Sequence, residues 1–263
     1  MISYGKEAVS LYRTDGVSTL FAAEVALEVF GDNFMPAYTE GDNSLVVATD
    51  TMKNFVHTTA LEFEGDSLED LLVLLGTRFL ATYGHIERIG VRARELPFAR
   101  ASDVLFQRLH DDVAVAELEL DRSGITSHRS GREGMHLIKI TGSSFALFAR
   151  DAYTSLPEKV DRPLFVHLDA CWRHTDFARR ADGVRIRDCL LETFDGFVSK
   201  SIQHLVHEMG TRLLGSFPEI AEVSFEAANR LWDTAQVSEA DERIKVYTDP
   251  RPPYGRITLT LSR

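Results

Sequence analysis

The chain repeats itself, and that fact limits its fold more than any other. The run Leu72-Val73-Leu74-Leu75-Gly76-Thr77-Arg78-Phe79-Leu80 is echoed by Gly210-Thr211-Arg212-Leu213-Leu214, with Gly76 and Gly210 standing 134 positions apart in a chain of 263. At the same offset Ile86 matches Ile220, Ile89 matches Val223, Val91 matches Phe225 and Ala93 matches Ala227. Repetition at about half the chain length predicts two copies of one domain, each carrying a helix, a short turn and then a strand. The join falls near residues 122 to 135, which gives domains 1–130 and 131–263. Its sequence, from Arg122-Ser123-Gly124 to Gly131-Arg132, is mostly polar and reads as an exposed linker or a hairpin.

Periodicity fills in the two halves. In the first, Val9 to Tyr12 and Thr19 to Phe30 read as strands, and Asp66-Ser67 caps a helix whose apolar positions 68, 71, 72, 75 and 79 share one face. In the second, His136 to Ile140, Phe145 to Arg150 and Pro163 to Trp172 are strand-like. Ile186 to Phe197 and Ile202 to Leu214 are helix-like, and Val223 to Ala227 and Gly255 to Leu261 alternate as strands. The fold class is therefore α+β, with antiparallel sheets carrying helices on one face. Such a sheet has open edges and one bare face, so oligomerisation that pairs the edges, most simply into a closed barrel, is expected.

The stretch Asp42 to Asn54 is the most informative one for function. Leu45 to Ala48 is apolar on consecutive residues and reads as a strand covered on both faces, while Asp50 before Thr51-Met52-Lys53-Asn54 reads as a helix N-cap. The first N–H groups of a helix lack internal partners and sit at the positive end of its dipole, so this junction suits an anionic ligand. A plain capped helix is the commoner meaning of such a pattern.

Composition excludes several classes. A formal charge of −11 argues against general nucleic-acid or anionic-membrane binding, both of which are driven by Lys/Arg excess. Cys171 and Cys189 form no Cys-x-x-Cys pair, which suits two reduced structural thiols. The opening residues lack an apolar signal core and no apolar stretch approaches the ~18 residues of a membrane span, so a cytoplasmic location is expected.

Five motifs together resemble one family. Tyr4-Gly5-Lys6, the run Gly41 to Asn54, the segment from Ser144-Phe145 through Asp161-Arg162, Ser201-Ile202-Gln203-His204-Leu205, and Tyr247 to Gly255 are similar to urate oxidase, most of all to its bacterial branch. The resemblance covers nearly the whole chain. It implies two tandem tunnelling-fold domains per subunit, a homotetramer closed into a barrel, and active sites between subunits. It further implies oxidation of urate by O2 and water to 5-hydroxyisourate and hydrogen peroxide with no metal or organic cofactor. By the same resemblance Lys6 and Thr49 match the catalytic pair, Thr49 and Asp50 enter the site from one subunit, and Phe145, Arg162, Ile202, Gln203 and Asn229 match the wall supplied by its neighbour.

The residue types suit that chemistry. Urate is a flat anion with hydrogen-bonding edges, and Phe145, Arg162 and Gln203 supply an aromatic face, a planar cationic fork and an amide. Stacking contributes ~0.5–1.5 kcal/mol beyond burial and a charge-assisted hydrogen bond ~1.5–3 kcal/mol, so the arginine should dominate ground-state affinity. Reaction with O2 without a cofactor needs the substrate to lose a second proton. Lys6 can take it if its amine is neutral part of the time, a state that desolvation favours, with the Thr49 hydroxyl passing the proton. Asn229 would hold O2 or water over the purine plane, and the N–H groups at Thr49 and Asp50 would stabilise charge on the five-membered ring.

One departure stands out. Many family members place a histidine two residues after the asparagine, whereas this chain reads Asn229-Arg230-Leu231-Trp232. A water, Arg230 or another histidine are the candidates to compensate, and a purine-binding protein with weak or no oxidase activity is the alternative reading. A metal enzyme is a further rival, because His204, His207 and Glu208 stand at i, i+3 and i+4. It is set aside because no Cys/His pair of zinc spacing accompanies them.

Overall fold

The computed structural model describes residues 2–263 and divides the chain into two units, Met1–Gly131 and Arg132–Arg263. The first unit holds strands β1 (Ser3–Thr14) and β2 (Leu20–Phe30), a 3-10 turn (Asp32–Phe34) and helices α1 (Met35–Thr39), α2 (Thr49–Leu61) and α3 (Leu68–Thr82). These are followed by β3 (Arg88–Glu95), a small hairpin of β4 (Phe98–Arg100) and β5 (Phe106–Arg108), and β6 (Val113–Asp121). Strand β7 (Gly124–Lys139) carries residues of both units. The second unit continues with β8 (Leu164–His174), α4 (Gly183–Gly196), α5 (Ile202–Ser216), β9 (Ile220–Asn229), a hairpin of β10 (Thr234–Val237) and β11 (Lys245–Tyr247), and β12 (Gly255–Ser262).

The register shows why these sequences are strands. In the first unit β1, β2, β3 and β6 pair in that order, all antiparallel. In the second, β8, β9 and β12 do the same. Along β3, Ile89, Val91 and Ala93 are buried while the intervening Arg88, Gly90, Arg92 and Arg94 are not, the period-2 pattern of a sheet with one apolar face. On β9 the buried residues are Ile220, Val223, Phe225 and Ala227. The opposite faces carry charge: Arg92 pairs Glu7, Arg88 pairs Glu119 and Arg129 pairs Glu117 in the first unit, and Arg173 pairs Glu222 and Arg256 pairs Glu226 in the second. Exposed pairs of this kind are worth ~0–1 kcal/mol each, so they keep a face wet and add little stability.

The sequence repeat is a structural one, reproduced hydrogen bond by hydrogen bond. Asp70 N donates to the Ser67 hydroxyl at 3.1 Å to cap α3, and His204 N donates to the Ser201 hydroxyl at 3.1 Å to cap α5. The helices close alike, Tyr83 N on Phe79 O and Phe217 N on Leu213 O, both at 2.9 Å. The turn into the next strand is also shared, with Ile86 N on Tyr83 O at 2.9 Å and Ile220 N on Phe217 O at 3.0 Å. A Cβ on Gly76 would lie 2.6 Å from Leu120 Cδ1 of β6, and one on Gly210 would lie 2.6 Å from Leu261 Cδ1 of β12. The paired glycines are therefore contact residues that let each helix lie close on its sheet.

Three expectations need correction. Leu45 to Ala48 is not a strand: residues 42–48 are irregular, Leu45 is exposed and of that run only Val47 is buried. The segment finds other partners, with Ser44 N on Asp42 Oδ1, Val46 N on Asn43 O, Val47 N on the Tyr4 hydroxyl and a His85 ring nitrogen against Leu45 O. Asp50 is not the N-cap either, because α2 starts at Thr49 with Ala48 in that role, and the Asp50 carboxylate turns to Lys53 and Asn54. Phe145 to Arg150 forms no strand, only a bridge of Phe145 with Lys159. Of the two readings of residues 122–128, the hairpin holds: Arg122 and Ser123 form the turn between β6 and β7, and the Arg122 guanidinium ties it to the carbonyls of Tyr83, Gly84 and Ile86.

The cap on α5 gives a direct test. Ser201→Ala should cost ~0.5–2 kcal/mol and Ser201→Gly only a few tenths of that order, read from urea denaturation midpoints. Equal costs would show that the hydroxyl is not capping the helix.

Candidate functional site

In the first unit, the candidate residues sit where α2 packs against β1. The Tyr4 hydroxyl accepts from Val47 N at 2.8 Å, and its ring meets Phe34 edge-on at 5.0 Å. That bond ties β1 to the segment leading into α2, two residues before Lys6 on one side and two before Thr49 on the other. Burial raises the Tyr4 pKa, so the hydroxyl stays protonated. Gly5 is compelled by the next strand, since a Cβ there would lie 2.1 Å from Leu27 O and 2.9 Å from Glu28 Cα. Beyond Lys6 the register with β2 shifts, and Ala8 takes φ 56, a left-handed conformation that a β-bulge imposes. The bulge sets the direction of the strand at Lys6.

Thr49 and Asp50 form the first turn of α2 and are exposed, and no side chain caps that end of the helix. The Asp50 carboxylate is held below its ordinary pKa first by its hydrogen bond to Lys53 and by the Lys53 charge, and to a smaller degree by the charge of Lys6. Lys6 and the start of α2 therefore share one neighbourhood. An uncapped helix N-terminus offers N–H groups to an anion with the dipole aligned to help.

In the second unit, backbone bonds gather four of the five expected residues. Arg162 N donates to Ser143 O at 2.8 Å, Ser144 N to Ser199 O at 2.8 Å, Ser199 N to Gly142 O at 3.2 Å, and Phe145 and Lys159 exchange bonds at 2.8 and 2.9 Å. This network brings the loop bearing Phe145 and Arg162 to the segment that opens α5, where Ile202 is buried and Gln203 exposed. The loop is pinned by Asp161, whose carboxylate accepts from Thr141 Oγ1 at 2.5 Å, from Gly142 N at 2.8 Å and from Ser143 N at 3.4 Å. Those bonds, the Thr141 hydroxyl first, hold the Asp161 pKa below the usual carboxylate value.

The Arg162 guanidinium lies 5.7 Å from the Phe145 ring centroid, and its Nε is buried without a hydrogen-bond partner. Burial lowers its pKa, which is the direction expected of a cation out of contact with water. An orphaned charged donor is costly, so the site is built for an acceptor. Phe148 stacks on Phe145 at 4.9 Å with the planes 13° apart and covers one face of the ring. Asn229 ends β9, opposite Val166 of β8 and Gly255 of β12, at the end of the sheet where Arg162 leads into β8.

His204 and Glu208 are occupied otherwise. His204 Nδ1 faces Lys200 N at 3.3 Å and its ring meets Phe197, while Glu208 pairs Arg212 at 2.6 Å. Among the described residues no three His, Cys, Asp or Glu side chains are grouped to hold a metal. Sequence reasoning overlooked Tyr4 and Asp161 as supports. Both lay inside quoted motifs, but neither contributes an atom to the expected chemistry, so only the folded contacts reveal them.

Comparison with known proteins gives a consistent picture. The Uricase family model matches residues 2–125 and 128–258. The uric acid degradation bifunctional protein PucL of Bacillus subtilis is 36% identical across all of this chain, which spans 61% of that protein; a second bifunctional relative, from Bacillus sp. TB-90, is spanned to 60%. The chain thus covers about three-fifths of those two relatives. The uricase of Halalkalicoccus jeotgali is 35% identical over 100% of this chain and 98% of its own. A crystal structure of urate oxidase from Bacillus sp. TB-90 superposes with a TM-score of 0.93 at 35% identity, covering 100% of both chains.

The Asp161 pin predicts a pH signature. Because the folded state holds this carboxylate below its unfolded value of about 3.9, its contribution is complete above that value and is lost as pH falls through the lower folded pKa. Asp161→Asn should therefore be less stable than the parent chain at pH 7, and the gap should close as the solution is acidified below about pH 4. A gap independent of pH would remove the charge from the account.

Proposed function

The chain belongs to the uricase family, and from that premise we propose that it oxidises urate with O2 and water to 5-hydroxyisourate and hydrogen peroxide, using no metal or organic cofactor. The observation that carries this reading is the buried, unpartnered Nε of Arg162, whose guanidinium lies over the Phe145 ring, a cationic fork and an aromatic plane suited to a flat anion. Arg162, Phe145, Ile202 and Gln203 bind urate. Lys6 removes the second proton through the Thr49 hydroxyl, and the N–H groups of Thr49 and Asp50 stabilise the resulting charge. The dianion then gives electrons to O2 held beside Asn229. Water adds to the oxidised ring and peroxide leaves.

We assign one tunnelling-fold domain to residues 1–130 and one to 131–263. Because the catalytic pair and the binding wall belong to different units of the chain, we propose that each site is completed between subunits of a homotetramer. Edge strands support this: among the described residues β1 is paired only with β2 and β12 only with β9. So do the apolar side chains on the loop that carries Phe145 and Arg162, where Leu147 is 93% and Tyr153 94% exposed. A partner that covers them removes a liability that a lone chain would carry. The helix-free faces, lined by Arg–Glu pairs, suit a wet barrel interior. No helix among the described residues is long and apolar enough to cross a membrane. Cys171 and Cys189, which form no disulfide among the described residues, favour a cytoplasmic setting, and the net negative charge disfavours nucleic acid as a partner.

Ultraviolet loss of urate, followed together with peroxide release in metal-free protein, tests the reading. Lys6→Met should bind urate yet oxidise it at least ~100-fold more slowly, given the size of general-base effects. Near-normal turnover in that variant would take Lys6 out of the mechanism. Arg162→Ala should raise the half-saturation concentration more than it slows bound substrate, a difference that initial-rate kinetics resolve. Binding without any turnover by the parent protein would favour the alternative, a purine-binding member that has lost the chemistry.

A further inference from the structure

Leu231, two residues beyond Asn229, is an exposed side chain. The neighbour, Arg230, is built into both strands that flank Asn229. Its Nε donates to His167 Nδ1 at 3.2 Å on β8, next to Val166, the cross-strand partner of Asn229. Its guanidinium carbon lies 4.0 Å over the Tyr254 ring, next to Gly255, the partner of Asn229 on the other side. Its backbone N donates to Phe165 O at 3.0 Å. One side chain therefore staples β8 to β12 across the end of β9.

The other half of the staple is His167. Its ring stacks on His136 of β7 at 3.8 Å with the planes 11° apart and meets Phe165 at 5.1 Å. Because Arg230 can only donate, His167 Nδ1 must be the acceptor, which makes the imidazole neutral with its proton on Nε2. We propose that His167 and Arg230 form a positioning couple that fixes Asn229 for the O2 step. The inference rests on the functional reading above.

The surroundings favour the neutral ring. Burial lowers the His167 pKa most, the adjacent His136 and Arg230 lower it further, and Asp169 alone raises it. Asp169 is itself engaged with Gly134 N, and on β9 and β12 the charges of that face, Glu226 and Arg256, are paired with each other. Once protonated, His167 loses its acceptor and places a cation against Arg230 and His136. The grip is then complete above the ordinary imidazole value of about 6.5 and released as pH falls through the lower folded value.

Urate turnover across pH tests the couple, with far-ultraviolet circular dichroism to confirm folding. Arg230→Met and His167→Leu should each lower kcat about tenfold with KM changed less than about twofold, the pattern of a misplaced group rather than lost binding. His167→Asn keeps an acceptor where Nδ1 stands but cannot be protonated. It should retain most of the parent kcat and lose the acid-side fall that His167 causes, a change that a purely structural role would not produce. If Arg230→Met and His167→Leu fail to fold, the acid limb of His167→Asn decides alone. An unmoved acid limb, or unchanged kcat in folded Arg230→Met, would overturn the couple and leave the functional reading intact. No turnover by the parent protein at any pH would overturn the functional reading, and the couple with it.

Discussion

An antiparallel sheet with one apolar face must be covered within van der Waals reach, and in this chain a glycine at the middle of each covering helix sets that distance. Gly76 faces Leu120 and Gly210 faces Leu261 at positions where a Cβ would intrude to 2.6 Å. Close approach seals Leu71, Leu72, Leu75 and Phe79 onto strands of the first unit and Leu205, Met209 and Leu213 onto strands of the second, all essentially without water contact. Loss of that contact would open a void that costs more than the ~1 kcal/mol by which alanine outranks glycine in helix propensity. Once α5 is seated, the segment at its head has little freedom, and residues 199–203 carry two of the candidate residues, Ile202 and Gln203.

How much of this was legible in the residues depends on whether the signal was local. The helix stripe after Ser67 and the alternation from Val223 to Ala227 are local, and both elements stand where their patterns put them, β9 reaching three residues further back to Ile220 and two further on to Asn229. Two apolar runs misled. Leu45 to Ala48 and Phe145 to Arg150 have strand composition, but a strand needs a neighbouring edge, and no sequence pattern reports whether one is free. At the first, the Tyr4 hydroxyl and the His85 ring take the backbone groups a ladder would have used. At the second, the carboxylates of Asp161 and Glu158 organise the loop, with Leu147 N on Glu158 Oε1 at 3.2 Å and φ at Leu147 of 59°. Side-chain competition for backbone groups, over separations of tens of residues, is what the patterns could not show.

The candidate site divides along the same line. The family resemblance named the expected residues, and their types suit the expected chemistry: an amine, a hydroxyl at a helix start, an arginine, an aromatic ring and two amides. Their supports went unnamed because a support is defined by geometry alone. Gly5 is a glycine because Leu27 O leaves no room for a Cβ, and Asp161 matters because three donors converge on it. Neither role has a compositional signature. The same holds for the β-bulge at Ala8, which turns β1 beside Lys6 at the cost of a left-handed backbone of order 1–2 kcal/mol.

The split of the candidate residues between the two units bears on why so acidic a protein would bind an anion at all. At a net charge of −11 the long-range field repels urate, and only short-range terms can reverse it. Arg162 is placed to do so because it is half-buried with an unpartnered Nε: a guanidinium partly shielded from screening acts more strongly on an acceptor that reaches it, whereas the exposed arginines paired with Glu7, Glu117 and Glu226 are neutralised where they stand. The helix dipole at Thr49 and Asp50 adds to that attraction, but the exposed residues there gain full effect only when something excludes solvent from them. A neighbouring subunit that brings Arg162 and Phe145 over that helix end would supply the exclusion and the cation together. Assembly and anion binding would then depend on the same act of desolvation.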